Sequence, residues 1–195
     1  MAMAVDFRWR AASASPDYIE PAIQYYIAAR QSVFLEFSPI AGALCHHAFE
    51  MLMKALLVRH GYTRKKLAQK PLGHNLVNIW DAFKQAAGDP SLALYDDLLG
   101  VLHWWEQLRY PETLPAPTLV QTVFVATERE LALARTAYVK PAGELFVLSL
   151  RHTDELFQRI VASSPIYTAG VSAVKKSLSQ EALAIYAREK QHSIW

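Results

Sequence analysis

Apolar side chains recur every three or four residues through most of this chain, a spacing that predicts helices rather than strands. The first helix starts at Ser15-Pro16-Asp17, with Ser15 as cap and Pro16 at the first helical position. It continues through Tyr18, Ala22, Tyr25, Tyr26, Ala29, Val33 and Phe37, with Pro21 inside its early turns. Pro39 separates it from a second helix, about Ile40 to His60, which Gly61 stops. Leu44, Ala48, Met51, Leu52, Ala55 and Leu56 give that helix a broad apolar face suited to the centre of a bundle. Thr63 to Pro71 reads as a basic loop. A third helix follows from His74 or Asn75 to Ala87, with Leu76, Ile79, Trp80 and Phe83 inward. After Gly88-Asp89-Pro90, Ser91 caps a fourth helix that ends near Arg109.

The pattern changes at Pro111, Pro115 and Pro117. Thr118 to Ala126 is β-branched and reads as a short strand, with residues 133–139 as its partner or with Glu128 to Tyr138 as a further helix. Helical spacing returns over about Ala142 to Ala162, and Ser179 caps a last helix to about Gln191. The expected fold is all-α: an up-and-down bundle of four to six helices, with a small irregular or β-hairpin insertion around 118–139. Residues 1–15 read as a tail and 16–195 as a single domain.

Composition sharpens this picture in two ways. The 195 residues are 52% apolar and only 19% charged, which suggests an apolar surface covered by a partner or a second copy. The formal net charge of +2 implies no diffuse attraction to nucleic acid, so any such attraction has to be local. Cys45 is the only cysteine, which excludes an intrachain disulfide and a cysteine zinc site, and it reads as a buried, inert thiol. No secretory leader is read at the N-terminus, and no apolar run approaches the ~20 residues needed to span a membrane. A cytoplasmic protein is expected.

Four short motifs stand in an informative order: Phe49-Glu50-Met51-Leu52-Met53-Lys54-Ala55-Leu56-Leu57, the basic loop, Gly73-His74-Asn75-Leu76, and Leu108-Arg109-Tyr110-Pro111. Together they resemble the HEPN family, the higher eukaryotes and prokaryotes nucleotide-binding domain. The resemblance implies a helical bundle that dimerises through apolar faces. It implies one of three activities: metal-independent RNA cleavage, a toxin–antitoxin-type role beside a protein partner, or binding of RNA or a nucleotide without catalysis. The family's ribonucleases separate an arginine from a following histidine by four to six intervening residues. Here Arg109 is followed by Leu114, Pro115 and Ala116 at the corresponding positions, and no arginine of the chain has a histidine at that spacing. A binding protein is therefore the expectation, with a ribonuclease of non-standard site as the enzyme alternative.

His74, Arg109, Tyr110, Arg64, Lys65 and Lys66 are the residues expected to contact phosphate or a nucleotide. Each also has a plainer role: a helix-start histidine that caps, an arginine on a helix dipole, and a solvated basic loop. Glu50 and Lys54, four residues apart, are expected to form a surface ion pair. Trp104 and Trp105 are adjacent, so only one can enter the same core.

A different chemistry is offered by His-x-x-Glu, which occurs as His47/Glu50, His103/Glu106 and His152/Glu155. Residues three apart share a helix face and could present two metal ligands to a bundle axis. Carboxylate-bridged bundles use the reverse order, Glu-x-x-His. No metal or other cofactor is expected, and these six residues stand as the alternative. Phosphate-cradling glycine loops, dinucleotide fingerprints and nucleophile elbows are absent from the sequence. The expected partners are a second copy of the chain, RNA or a nucleotide, and a protein, with no membrane.

Overall fold

A computed structural model describes residues 16–35, 37–107, 119–125, 143–162, 172, 175–176 and 178–187. Among them are seven α-helices: α1 (Pro16–Phe34), α2 (Ser38–Arg59), α3 (Arg64–Ala68), α4 (Leu76–Ala87), α5 (Asp96–Gln107), α6 (Leu150–Ala162) and α7 (Gln180–Ala187). A 3-10 turn, Pro90–Tyr95, leads into α5, and two strands, β1 (Leu119–Val125) and β2 (Gly143–Ser149), precede α6. The protein is mostly helical, as the hydrophobic spacing predicts.

α2 is the axis. It packs against α1, α4, α5 and α6, so apolar residues are needed around most of its circumference rather than along one stripe. Ala48, Phe49, Leu52, Met53, Ala55 and Leu57 are all fully buried. By length and mean hydropathy Ile40–Arg59 would pass as a membrane span, contrary to the sequence expectation, yet 72% of that window is buried within the protein. It is the core helix of the bundle.

Local chemistry sets the ends of several elements. Thr63 caps α3, its Oγ1 accepting from Lys66 N at 3.1 Å, so the basic segment expected as a loop contains one helical turn. Asn75 caps α4 by accepting from Asn78 N at 2.9 Å, and Ser179 caps α7 by accepting from Ala182 N at 3.2 Å. Asp89, not Ser91, caps the turn before α5, accepting from Ser91 N at 2.9 Å. Of the adjacent indoles, Trp105 is buried and Trp104 is 43% exposed.

Residues 143–149 do not begin the helix expected from Ala142. They form β2, paired in parallel with β1 from Leu119↔Gly143 to Val125↔Ser149. The pair is therefore not a hairpin; the hairpin partner expected at 133–139 lies outside the described residues. So do the tail, Arg109, Tyr110 and residues 188–191. A parallel pair has no local turn to announce it, and Leu145 and Leu148 fit a helical period as well as a strand.

The tightest approach in the core is at Gly42. A Cβ there would lie 2.2 Å from the Trp105 indole, so α2 meets α5 at this point through the absence of a side chain. Gly42→Ala is expected to cost about 1–3 kcal/mol, read from chemical denaturation; a loss below about 0.5 kcal/mol would mean that the indole moves aside freely.

Candidate functional site

His46, Glu50 and Lys54 follow each other at four-residue intervals along α2, which puts all three on one face. All three are buried, Glu50 at 0% exposure. This corrects the surface ion pair expected for Glu50 and Lys54. The i,i+4 spacing is the same on either side of a helix, and this face is covered by the segment between α3 and α4 at Lys54 and Glu50 and by α5 at His46.

Gly73 makes that closure possible. Its φ of 40° is left-handed, a conformation open to glycine at little cost. The turn aims the Gly73 carbonyl at Lys54, whose Nζ donates to it at 2.6 Å while also donating to Glu50 Oε1 at 2.6 Å. The next residue, His74, reaches the same carboxylate: its Nδ1 lies 3.1 Å from both Oε1 and Oε2. A carboxylate only accepts, so the imidazole donates through Nδ1–H. The buried carboxylate thus fixes the tautomer and leaves the basic Nε2 on the far side of a ring whose side chain is 72% exposed.

Two more imidazoles flank Glu50. His46 Nε2 and His47 Nδ1 stand 3.7 and 3.8 Å from Oε2. The Leu102 carbonyl accepts from His46 Nδ1 at 3.0 Å, so that nitrogen carries the proton. Nε2 then faces Glu50 with no hydrogen bond of its own among the described residues. Burial alone would raise the Glu50 carboxyl, but the donors around it, with the Lys54 ammonium at 2.6 Å, outweigh it and hold the group far below the usual carboxylate range. Glu50 is a permanent anion at neutral pH.

The stretch of chain that carries this site is one-signed. No Asp or Glu occurs between Glu50 and Asp81, whereas Arg59, Arg64, Lys65, Lys66 and Lys70 all lie in that stretch and are all exposed. Lys66 Nζ sits 4.2 Å above the Tyr62 ring, a cation–π contact that orders part of the strip.

The sequence-named residues divide into three groups. Arg64, Lys65, Lys66 and His74 fall in this one basic segment. Arg109 and Tyr110 lie outside the described residues. Of the histidine–glutamate residues, His47 and Glu50 belong here, and His103 is nearby, its ring 6.3 Å from that of His46. Glu106 lies on α5. His152 and Glu155 instead line a groove of about 430 Å³ with Tyr95, Asp97 and Leu98. Among the described residues no group of three His, Cys, Asp or Glu is spaced to hold a metal ion. Glu50 already accepts from an ammonium and an imidazole.

Sequence reasoning missed the burial of Lys54. It also missed a second buried ionic group across the core. Arg30 on α1 and Asp154 on α6 form an ion pair with both side chains nearly inaccessible. Tyr26 donates to the other Asp154 oxygen, and Arg30 Nε donates to the Ile185 carbonyl of α7 at 3.2 Å. Burial works against the Arg30 charge, yet Tyr26 and Asp154 more than restore it and raise its pKa. The Tyr26 ring stacks on Phe157 at 3.8 Å. Cys45 lies in the same core, and burial pushes its thiol well above the ordinary value, so it is inert as expected. No protein-family profile, no curated protein and no solved structure matches the chain.

Proposed function

We propose that this chain is a cytoplasmic, HEPN-like helical protein that binds RNA through its phosphates, using the strip formed by Arg59, Arg64, Lys65, Lys66, Lys70 and His74. The observation that carries this reading is the segregation of charge: five exposed cations in a stretch without one carboxylate, on a chain whose net charge is only +2. Phosphodiester contacts are made by clustered Lys and Arg, and the affinity they give falls steeply with salt. His74 adds a fixed imidazole edge at the end of the strip. The same reading carries a homodimer, for which Leu35, Phe37 and Ile40, each at least half exposed around the α1–α2 turn, offer apolar contact; a monomeric mass in light scattering removes it.

Fluorescence anisotropy on mixed-sequence single-stranded RNA tests the binding reading. Changing Arg64, Lys65 and Lys66 together to alanine is expected to weaken binding and to reduce the slope of log K against log salt by about 2, at ~0.7 per lost contact. Unchanged affinity removes the site. If adding ATP displaces the RNA at equal phosphate concentration, the ligand is a nucleotide instead. The ribonuclease reading rests on the Glu50–His74 pair, which has the form of a positioned general base; chelator-resistant cleavage of the same RNA, lost in His74→Ala, would establish it.

A further inference from the structure

The Glu50–His74 pair has a property that phosphate binding does not use. A binding histidine needs no buried anion behind it, and a general base is most effective inside a cleft that holds its substrate. His74 has the buried anion but stands out on a turn, with most of its ring in solvent. A carboxylate-held imidazole in the open suits a group that must be met by another molecule.

The geometry points to His74 Nε2 as a nucleophile that accepts a phosphoryl group, with Glu50 as its positioning residue. Three observations support the assignment. Nδ1–H is committed to Glu50 at 3.1 Å, so the lone pair is on Nε2, the exposed nitrogen. Positive charge develops on the ring as Nε2 bonds to phosphorus, and the buried Glu50 carboxylate, an anion at neutral pH, stabilises it through that hydrogen bond. Lys65, Lys66 and Lys70, exposed in the same segment, attract an anionic donor and favour the dianionic product.

The step is a two-electron displacement without redox change. The Nε2 lone pair forms the N–P bond while the donor's own bond to phosphorus breaks. With phosphoramidate as donor, the leaving nitrogen departs as ammonia with the protons it already carries. A cellular donor of the same class would be a phosphohistidine or an acyl phosphate on a partner protein. The product places about two negative charges in the basic strip, which would release a bound phosphodiester. That last consequence rests on the RNA-binding reading; the modification does not.

The full chain incubated with potassium phosphoramidate, then mapped by mass spectrometry under alkaline conditions, provides the test. His60 is the internal control, exposed in the same basic segment and bonded to no carboxylate among the described residues. His74 is expected to gain the phosphoryl group at least about tenfold faster than His60, the factor expected of one charge-assisted hydrogen bond. Glu50→Gln, confirmed folded by circular dichroism, is expected to bring the two rates together, and Glu50→Asp to restore part of the difference. Equal labelling of His60 and His74 in the unsubstituted protein would overturn the proposal even if both variants fail to fold. So would a folded Glu50→Gln that still favours His74. Unchanged RNA affinity in the strip variant, with selective labelling of His74 intact, would remove only the binding reading.

Discussion

Asp154→Ala is expected to be the most damaging single change in this protein, costing about 3–5 kcal/mol of an unfolding free energy that for such a domain is about 5–15 kcal/mol. The cost does not measure an attraction lost. It arises because Arg30, at 1% exposure, would keep its charge without its counterion, and the Tyr26 hydroxyl would lose its acceptor. The contrast is the double change Arg30→Met with Asp154→Leu, which removes both charges and is expected to cost much less than the sum of the single changes. Urea denaturation of the unsubstituted protein, Arg30→Met, Asp154→Leu and the double variant gives the coupling directly. A loss under about 1 kcal/mol for Asp154→Ala would mean that water reaches the pair.

Glu50→Ala follows the same logic on the other side of α2 and is expected to cost about 3–5 kcal/mol, because Lys54 is left buried beside the Gly73 carbonyl and His74 loses its anchor. The pair also gives stability a defined pH dependence. The folded Glu50 carboxyl titrates below its unfolded value, so the unfolded chain binds the proton first as pH falls. The stabilisation is complete above the ordinary glutamate value of about 4.3 and is withdrawn steadily below it. Glu50→Gln is expected to be less stable at pH 7 and to show a flatter decline between about pH 5 and pH 3. If thermal unfolding of both proteins falls in parallel over that range, the carboxyl is not held as the geometry indicates.

The contrast between these networks and the helices explains what could be read from the chain. Helix ends are local events. Pro16 and Ser179 act within three or four residues, so their roles are legible in the sequence, as is the inward set Leu76, Ile79, Trp80 and Phe83; the cap of α4 is Asn75 rather than the histidine before it. The run 143–149 was not, because its state depends on a parallel partner 24 residues earlier, and its apolar spacing fits two periods. For the site, spacing named Glu50, Lys54 and His74 but could not say that they meet. That depends on a turn at Gly73 bringing residues 24 apart to 3.1 Å. Arg30 and Asp154, separated by 124 positions, carry no local signature at all: in sequence each is an ordinary surface residue of an amphipathic helix.

Cys45 follows from that second network in an experimental sense. It is the chain's single thiol, it is buried, and its core neighbours include the Arg30–Asp154 pair. A thiol reagent can reach it only during excursions that open the core around α2, so the rate of its modification is a clock for spontaneous opening of the bundle. The protein carries its own reporter of breathing, without any label being introduced.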